Sequence, residues 1–156
     1  MESWNQTSTD AVRTHTPDEV NRRIDSQVEA CVRHMAEHMD RPTISRYLET
    51  LEREWDVNRA LMVAAPAVSV LGLALGARWG RGWNLVAGVA TGLLLQQGMM
   101  GFGPLASVAR LLGVRTRREI DLEKFALKAL RGDFGRIPHE GGPLARANAA
   151  LVAAQS

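Results

Sequence analysis

The stretch CVRHMAEH, at residues 31–38, has the residue types and the spacing of a metal site. On a helix, Cys31, His34 and His38 occupy positions i, i+3 and i+7, which places a thiol and two imidazoles on one face. Thiolate and imidazole groups are ligands that zinc prefers. The stretch also matches HxxEH, the inverted zinc-protease pattern, in which Glu37 would act as the base.

An alternative interpretation gives the same side chains a structural role. Residues 17–39 predict a helix with apolar residues at spacings of four, three and four. Its stripe consists of Ile24, Val28, Cys31 and Met35. Cys31 would then be a core residue, and the two histidines would be solvated neighbours of the stripe. Because the chain has no evident further ligand and too few residues for a protease domain, we expect no metal, no cofactor and no catalytic residue.

Two helices are predicted around these residues, after a polar, aperiodic lead-in of residues 1–15 that is expected to be disordered. Thr16, Pro17 and Glu19 match a capping box with proline at the first helical position, where its missing N–H would be unpaired in any case. Pro42 ends or breaks the first helix. A second stripe consists of Ile44, Tyr47, Leu48 and Leu51. Residues 16–59 are therefore expected to form a helical region.

Charge divides the chain into three parts. Residues 1–59 hold 8 arginines and 12 acidic residues, residues 60–109 hold only two arginines, and residues 110–156 hold 9 basic and 5 acidic residues. Cys31 is the only cysteine, so no disulfide within the chain is possible. The N-terminus lacks the basic and apolar regions of a secretory signal peptide, so any membrane segment is expected to be internal.

The middle of the chain contains two long uncharged runs. Residues 60–77 form a run of eighteen, and residues 82–109 form a longer one. As a helix with about 1.5 Å per residue, the first run spans roughly 27 Å, close to the hydrocarbon thickness of a bilayer. We therefore expect residues 60–109 to form a two-span transmembrane hairpin with Arg78 and Arg81 at its turn. A soluble helical bundle is the competing interpretation.

Three patterns favour the membrane. The runs are apolar all round and lack the polar face that a surface helix shows to water. Tryptophans stand at the ends of the runs, as in an interfacial aromatic belt, at Trp55, Trp79 and Trp83. Glycines spaced by four let helix backbones approach closely. The expected packing positions are Gly72, Gly76, Gly88 and Gly92.

Arginine counts predict the orientation, because positive charge accumulates on the cytoplasmic side of a membrane. Four arginines precede the first run, four follow the second, and two lie in the turn. The first four are Arg41, Arg46, Arg53 and Arg59. The four that follow the second run, which we also expect to contact anionic lipid headgroups rather than nucleic acid, are Arg110, Arg115, Arg117 and Arg118. Both termini are therefore predicted to be cytoplasmic.

The polar side chains within the two runs are few and uncharged. They are Ser69, Thr91, Gln96 and Gln97. We expect them to form hydrogen bonds between helices. Because no ionisable side chain lies inside either run, a proton relay or an ion-coupled transport cycle has no residue on which to operate.

Residues 110–134 predict a juxtamembrane basic segment and an amphipathic helix. Thr116 and Glu119 match a second capping box at the start of that helix. Its apolar face is predicted to consist of Leu122, Phe125, Ala126, Ala129 and Leu130. The opposite face would carry Asp121, Lys124, Lys128 and Arg131. Such a helix lies on a membrane surface or packs on a partner helix. Residues 135–156, rich in Gly, Ala and Pro, are expected to form a flexible tail.

Three stretches accompany the two glycine-bearing runs: HTPDEVNRRID, LEREWDVNRAL and, after the second run, GFGPLASVARLLGVRTRREIDLEKFALKALRGDF. On these features, the chain resembles the YgaP-like transmembrane-domain family of small bacterial inner-membrane proteins over about residues 12–134. The resemblance implies a dimeric two-helix membrane fold whose biochemical role is largely unassigned.

Two departures limit what this resemblance implies. Family members often have Gly-x-Cys-Pro where this chain has Gly103 before Pro104, so a thiol function at that point is not implied. The namesake member joins its spans to a rhodanese domain, whose nucleophilic cysteine lies in a loop after a strand. Here Cys31 lies in a predicted helix and no α/β pattern is present, so sulfurtransferase activity is not implied either.

The sequence thus predicts an all-α fold, a two-span transmembrane hairpin flanked by cytoplasmic amphipathic helices in the bacterial inner membrane. The expected function is that of a non-enzymatic interaction or scaffold protein. Its partners would be membrane lipid, further copies of itself in a homodimer or higher oligomer, and an unidentified protein. The alternatives are a metal- or redox-linked accessory protein that uses Cys31, His34 and His38, and a soluble helical bundle.

Overall fold

The computed structural model describes residues 10–38, 40–136 and 142–155, and every regular element in those ranges is helical. A 3₁₀ turn at Asp133–Arg136 follows the seventh of the α-helices. In chain order, the α-helices are α1 (Ala11–Thr14), α2 (Asp18–His38), α3 (Arg41–Arg53), α4 (Val57–Trp79), α5 (Gly82–Met100), α6 (Pro104–Leu111), α7 (Arg117–Arg131) and α8 (Pro143–Gln155). The prediction of an all-α fold is confirmed for these residues.

The described residues divide into two compact units, each with its own buried cluster. The hairpin unit comprises the described part of residues 1–25 together with residues 55–118. The amphipathic unit comprises the described part of residues 26–54 and of residues 119–156.

In the hairpin unit, α4 and α5 run antiparallel, and α6 packs beside both of them. The buried cluster at the base of α4 consists of Val12, Val57, Leu61, Ala106 and Ala109. Residues 10–15 therefore do not belong to the predicted disordered lead-in. The Asp10 carboxylate accepts a hydrogen bond from the Val12 N–H at 3.0 Å and caps α1, which allows Val12 to reach the cluster.

In the amphipathic unit, α2, α3 and α7 bury the stripes that the sequence predicts for the first two of them. Both the first stripe, at Met35, and the second, at Leu48 and Leu51, reach the core. The buried cluster consists of Met35, Ile44, Leu48, Leu51, Ile120 and Leu127. Burial of apolar surface on one face of each helix thus holds this unit together.

The prediction of the apolar face of α7 is wrong. The helix buries Ile120, Glu123 and Leu127, whereas Phe125 and Leu130 stay 51% and 45% exposed. Glu123 occupies the core face because the Tyr47 hydroxyl donates a hydrogen bond to its carboxylate at 3.2 Å. A buried carboxylate becomes tolerable when such donors replace water, and a pattern of apolar residues alone does not reveal them.

Two further predictions need correction. Thr16 does not cap α2, because its hydroxyl donates to the Val12 carbonyl at 2.7 Å and the helix begins at Asp18. Residues 143–155 form α8 rather than part of a flexible tail. The Lys128 ammonium donates to the Ala154 carbonyl at 2.6 Å, which satisfies a carbonyl of the last turn of α8.

Candidate membrane-embedded surface

The outward surface of α4 and α5 is apolar along the length of both helices. The stretch Arg41–Trp79 contains an 18-residue window, apolar enough to cross a membrane, of which only 17% is buried. Large apolar side chains on the two helices are 41–77% exposed, namely Met62, Val63, Val68, Val70, Leu71, Leu73, Leu85, Val86, Val89, Leu95, Met99 and Met100. Soluble monomers rarely expose a continuous apolar surface of this extent, so the surface suits lipid.

The inside of the hairpin, by contrast, contains small and hydroxyl-bearing residues. A Cβ at Gly72 would lie 3.0 Å from the Ala87 nitrogen and 3.1 Å from the Trp83 oxygen, and a Cβ at Gly76 would overlap the Asn84 side chain. The two glycines thus permit the close approach of α4 and α5 that their spacing predicts. The Ser69 and Thr91 hydroxyls lie 3.0 Å apart and hydrogen-bond between the helices, as expected for polar residues in the runs.

Gly88 and Gly92 lie on a different side of α5. A Cβ built on either of them would meet no described atom within 4 Å, and both positions are exposed. They therefore do not contribute to the packing of α4 on α5. Their predicted role in helix packing can apply only to a helix outside this hairpin.

Aromatic and cationic side chains mark the two ends of the hairpin. Trp79 and Trp83 are exposed beside the turn, where Gly80 adopts a φ of 134° that only glycine accommodates without strain. At the opposite end, Trp55 is exposed and the Arg59 guanidinium lies 5.1 Å from its ring centroid. This distribution places amphipathic rings where the two membrane interfaces would be.

The second uncharged run does not form one continuous helix. α5 ends at Gly101, in the left-handed conformation with φ of 74°, and α6 leaves it at an angle of 91°. Within the described residues, one helix is long and apolar enough to cross a membrane, or two if α5 and α6 together count as one bent span. Gln97 secures the break, since its amide nitrogen donates to the Gly101 carbonyl at 3.2 Å.

Gly103 lies at this break and packs closely against Gln97. A Cβ there would lie 3.1 Å from the buried Gln97 Oε1, which has no hydrogen-bond partner among the described atoms. A cysteine in front of Pro104 would make a tight contact with the end of the Gln97 side chain, which would have to move by a few tenths of an ångström. This contact gives a local physical reason for glycine at the position where the resembled family often has cysteine.

Arg110 does not contact lipid headgroups as predicted, because it is fully buried. Its guanidinium donates to the Asn21 side-chain oxygen at 2.8 Å and to the Val114 carbonyl at 3.3 Å. Arg23 adds a hydrogen bond to the Leu111 carbonyl at 3.3 Å. These bonds attach the first turns of α2 to α6, and no spacing in the sequence points to them because the partners lie 88 and 89 residues apart.

The other arginines after α6 differ in exposure. Arg115 is half-buried, and its carbonyl accepts a hydrogen bond from the Val57 N–H at 3.0 Å. Arg117 and Arg118 are exposed at the start of α7. Of the four arginines predicted to contact headgroups, these two are the exposed ones.

The thiol and the two imidazoles of the candidate metal set have different surroundings in the structure. The Cys31 thiol donates to the Tyr47 hydroxyl at 3.3 Å, within the core face of α2. His34 and His38 are exposed, and their rings stack with centroids 4.9 Å apart. Among residues 10–38, 40–136 and 142–155, no group of three or more His, Cys, Asp or Glu side chains is placed to hold a metal ion.

An apolar groove of about 440 Å³ lies on one side of the hairpin. Its walls come from α4, at Leu61 and Val68, and from α5, at Val89 and Leu93. Leu105 of α6 lines the same groove. The apolar surface of the two long helices therefore continues onto α6.

No family model, curated protein or solved structure matches this chain. The resemblance to the YgaP-like transmembrane-domain family therefore stays a prediction.

Proposed function

We propose that the protein is a non-enzymatic component of the bacterial inner membrane that acts as an interaction or scaffold protein. The observation that supports this proposal is the outward surface of α4 and α5, which exposes large apolar side chains on all sides while small residues pack inside. A soluble bundle would reverse this distribution, because water favours burial of the large side chains. The surface therefore favours the membrane hairpin over the soluble alternative.

The proposal includes an orientation with both termini in the cytoplasm. Four arginines precede the first long helix in sequence and four follow the second, whereas only Arg78 and Arg81 lie beside the turn. A reporter that is active only in the periplasm, fused after residue 156, should give no signal. The same reporter inserted after Gly80 should be active, and the reverse pair of results would contradict the orientation.

Self-association is the third part of the proposal. Gly72 and Gly76 are already used against α5, whereas Gly88 and Gly92 are exposed with the spacing that lets two helices approach closely. We therefore assign the contact between copies to the Gly88 face of α5. This assignment agrees with the dimer that the family resemblance implies.

The dimer contact can be tested with a matched pair of variants. Gly88→Leu combined with Gly92→Leu should reduce the dimer fraction in detergent, because the larger side chains keep the helices apart. Ala74→Leu adds the same kind of side chain at an exposed position of α4 and should leave the dimer fraction unchanged. Equal dimer fractions for all three proteins would contradict this contact.

Val70 provides the sharpest test of membrane insertion. It lies in the middle of α4 and is mostly exposed, so an arginine there would cost a water-soluble protein little. At the centre of a membrane helix, arginine costs roughly 2.5 to 3.5 kcal/mol on the insertion scale. Val70→Arg should therefore reduce the fraction of chain that resists alkaline carbonate extraction, while Arg78→Ala should not. If the unmutated chain is extracted together with the soluble proteins, the membrane proposal is wrong.

A further inference from the structure

The short helix α6 is separated from α5 by the break at residues 101–103. By length alone, the 19 residues of α5 reach about 28 Å, close to the thickness of the hydrocarbon core. α6 leaves α5 at an angle of 91°. If α5 crosses the bilayer, a helix at this angle lies in the membrane plane.

The two sides of α6 differ in chemistry. One side is buried and includes Ala106, Ala109 and Arg110, whose guanidinium is held by Asn21. The other side exposes Val108, Leu111 and the following Leu112 at 54%, 58% and 80%. Three neighbouring aliphatic side chains thus project from α6 away from the polar network.

The charges around α6 have one sign. Residues 104–118 contain four arginines and no acidic residue. Two of them, Arg117 and Arg118, are exposed a few residues beyond the apolar side of α6. An apolar helix face followed by cations is the composition of helices that lie at the boundary between acyl chains and anionic headgroups.

The apolar side of α6 also continues the surface of the hairpin. Leu105 lines the apolar groove together with Leu61 and Leu93. The solvent that surrounds α4 and α5 therefore also reaches the start of α6. This continuity favours lipid over a separate protein partner as the occupant of this side.

We infer that α6 is an interfacial helix whose Val108, Leu111 and Leu112 side chains enter the cytoplasmic leaflet, with Arg117 and Arg118 at the anionic headgroups. The inference depends on the proposal that α4 and α5 cross the membrane. It assigns α6 a position in the bilayer plane and makes the α5–α6 break the point at which the chain turns along the membrane.

Spin labels on the full chain in vesicles of zwitterionic and anionic phospholipid would test this inference. In a Cys31→Ala background, single cysteines at positions 108, 111 and 112 are labelled, and collisions with oxygen and with a water-soluble nickel chelate are measured. Leu71 and Val89 provide labelled positions in the middle of the hairpin, and Glu49 provides an exposed aqueous position. Circular dichroism checks that each labelled protein keeps its helix content.

The inference predicts that the three α6 labels collide more with oxygen than with nickel, at ratios between those of Glu49 and Leu71. High nickel accessibility would place α6 in water, and a ratio equal to that at Val89 would make α6 part of the span. Low accessibility to both reagents would show that protein covers this side. Each of these three results would overturn the inference. If labels at Leu71 and Val89 are also accessible to nickel, the proposed membrane function itself fails.

Discussion

The two units of this chain bury opposite kinds of side chains. The core cluster of the amphipathic unit consists of large aliphatic residues, such as Leu51, Ile120 and Leu127, with the hydrogen-bonded Glu123 buried beside them. The hairpin has Gly72 and Ala87 in contact between its helices, and its large aliphatic residues point outward. Water can drive the first arrangement through burial of apolar surface, but it provides no reason for the second. Close backbone contact and hydrogen bonds are what hold helices together in lipid.

The largest expected effect tests the core of the amphipathic unit. Leu127→Ala removes a fully buried side chain and should lower the free energy of unfolding by about 2 to 5 kcal/mol, because a cavity is added to the lost apolar burial. Leu71→Ala is the matched change on the exposed surface of α4, and it should change the free energy by about 0.5 kcal/mol or less. Pulse proteolysis of the full chain in detergent measures both. If the two variants lowered the free energy of unfolding by similar amounts, the contrast between a buried aliphatic core and an exposed aliphatic surface would be contradicted.

A smaller effect is expected from enlarging a glycine inside the hairpin. Gly72→Val pushes a branched side chain against the Ala87 backbone, 3.0 Å from the position of its Cβ, and should destabilise the hairpin by about 1 to 3 kcal/mol. Gly88→Val meets no described atom and should leave the hairpin intact. Unfolding by sodium dodecyl sulfate, followed by tryptophan fluorescence, compares the two. If Gly88→Val lowered the stability of the hairpin more than Gly72→Val, the contact of α4 with the Ala87 side of α5 would be contradicted.

The pair of hydroxyls between α4 and α5 should contribute less to the stability of the hairpin than the close packing at Gly72. Ser69 and Thr91 are 3.0 Å apart, and hydrogen bonds of this kind in membrane proteins are worth about 0.6 kcal/mol on average. A double-mutant cycle of Ser69→Ala and Thr91→Ala should give a coupling free energy of about that size. A coupling indistinguishable from zero would leave close packing at Gly72 as the main attraction between the helices.

The smallest predicted effect concerns pH and the start of α3. A hydrogen bond from the Thr43 side chain, followed by one from the Thr43 N–H, holds the pKa of the Asp40 carboxyl below its ordinary value of 3.8. The ionised cap therefore contributes stability above pH 3.8, and this contribution is lost as the pH falls through the lower pKa of the folded state. Asp40→Asn should remove the contribution of this ionised cap to the loss of helix stability in acid. Circular dichroism between pH 7 and pH 2 compares the two proteins, and identical acid transitions would contradict the prediction.

The helices themselves could be predicted from sequence, because apolar spacing determines which face of a helix avoids water. That rule identifies the stripes of α2 and α3, including the burial of Met35 and Leu51. It fails for α7, where Glu123 takes a core position through its bond to Tyr47, 76 residues away in sequence. Long-range polar partners decide such positions, and they leave no periodic signal.

The predicted functional positions divide in a similar way. Gly72 packs where its spacing suggests, since close approach requires only the absence of a side chain. The place of Arg110 after the second run predicts a lipid contact, yet the side chain lies buried against Asn21. A count of charges locates an arginine along the chain but does not state which side of a helix it faces. Gly101, Gly103 and Pro104 mark the helix break in the sequence, but they do not show that α6 turns Arg110 inward against Asn21.

The contact between Lys128 and the Ala154 carbonyl has a consequence for chemical labelling. The chain contains only two lysines, and the other, Lys124, forms an ion pair with Glu52 at 3.3 Å. The Lys128 amine is buried while α8 is docked, so acylating reagents can reach it only after α8 detaches. The rate of Lys128 acylation relative to that of Lys124 thus reports how often α8 detaches, without any change to the sequence.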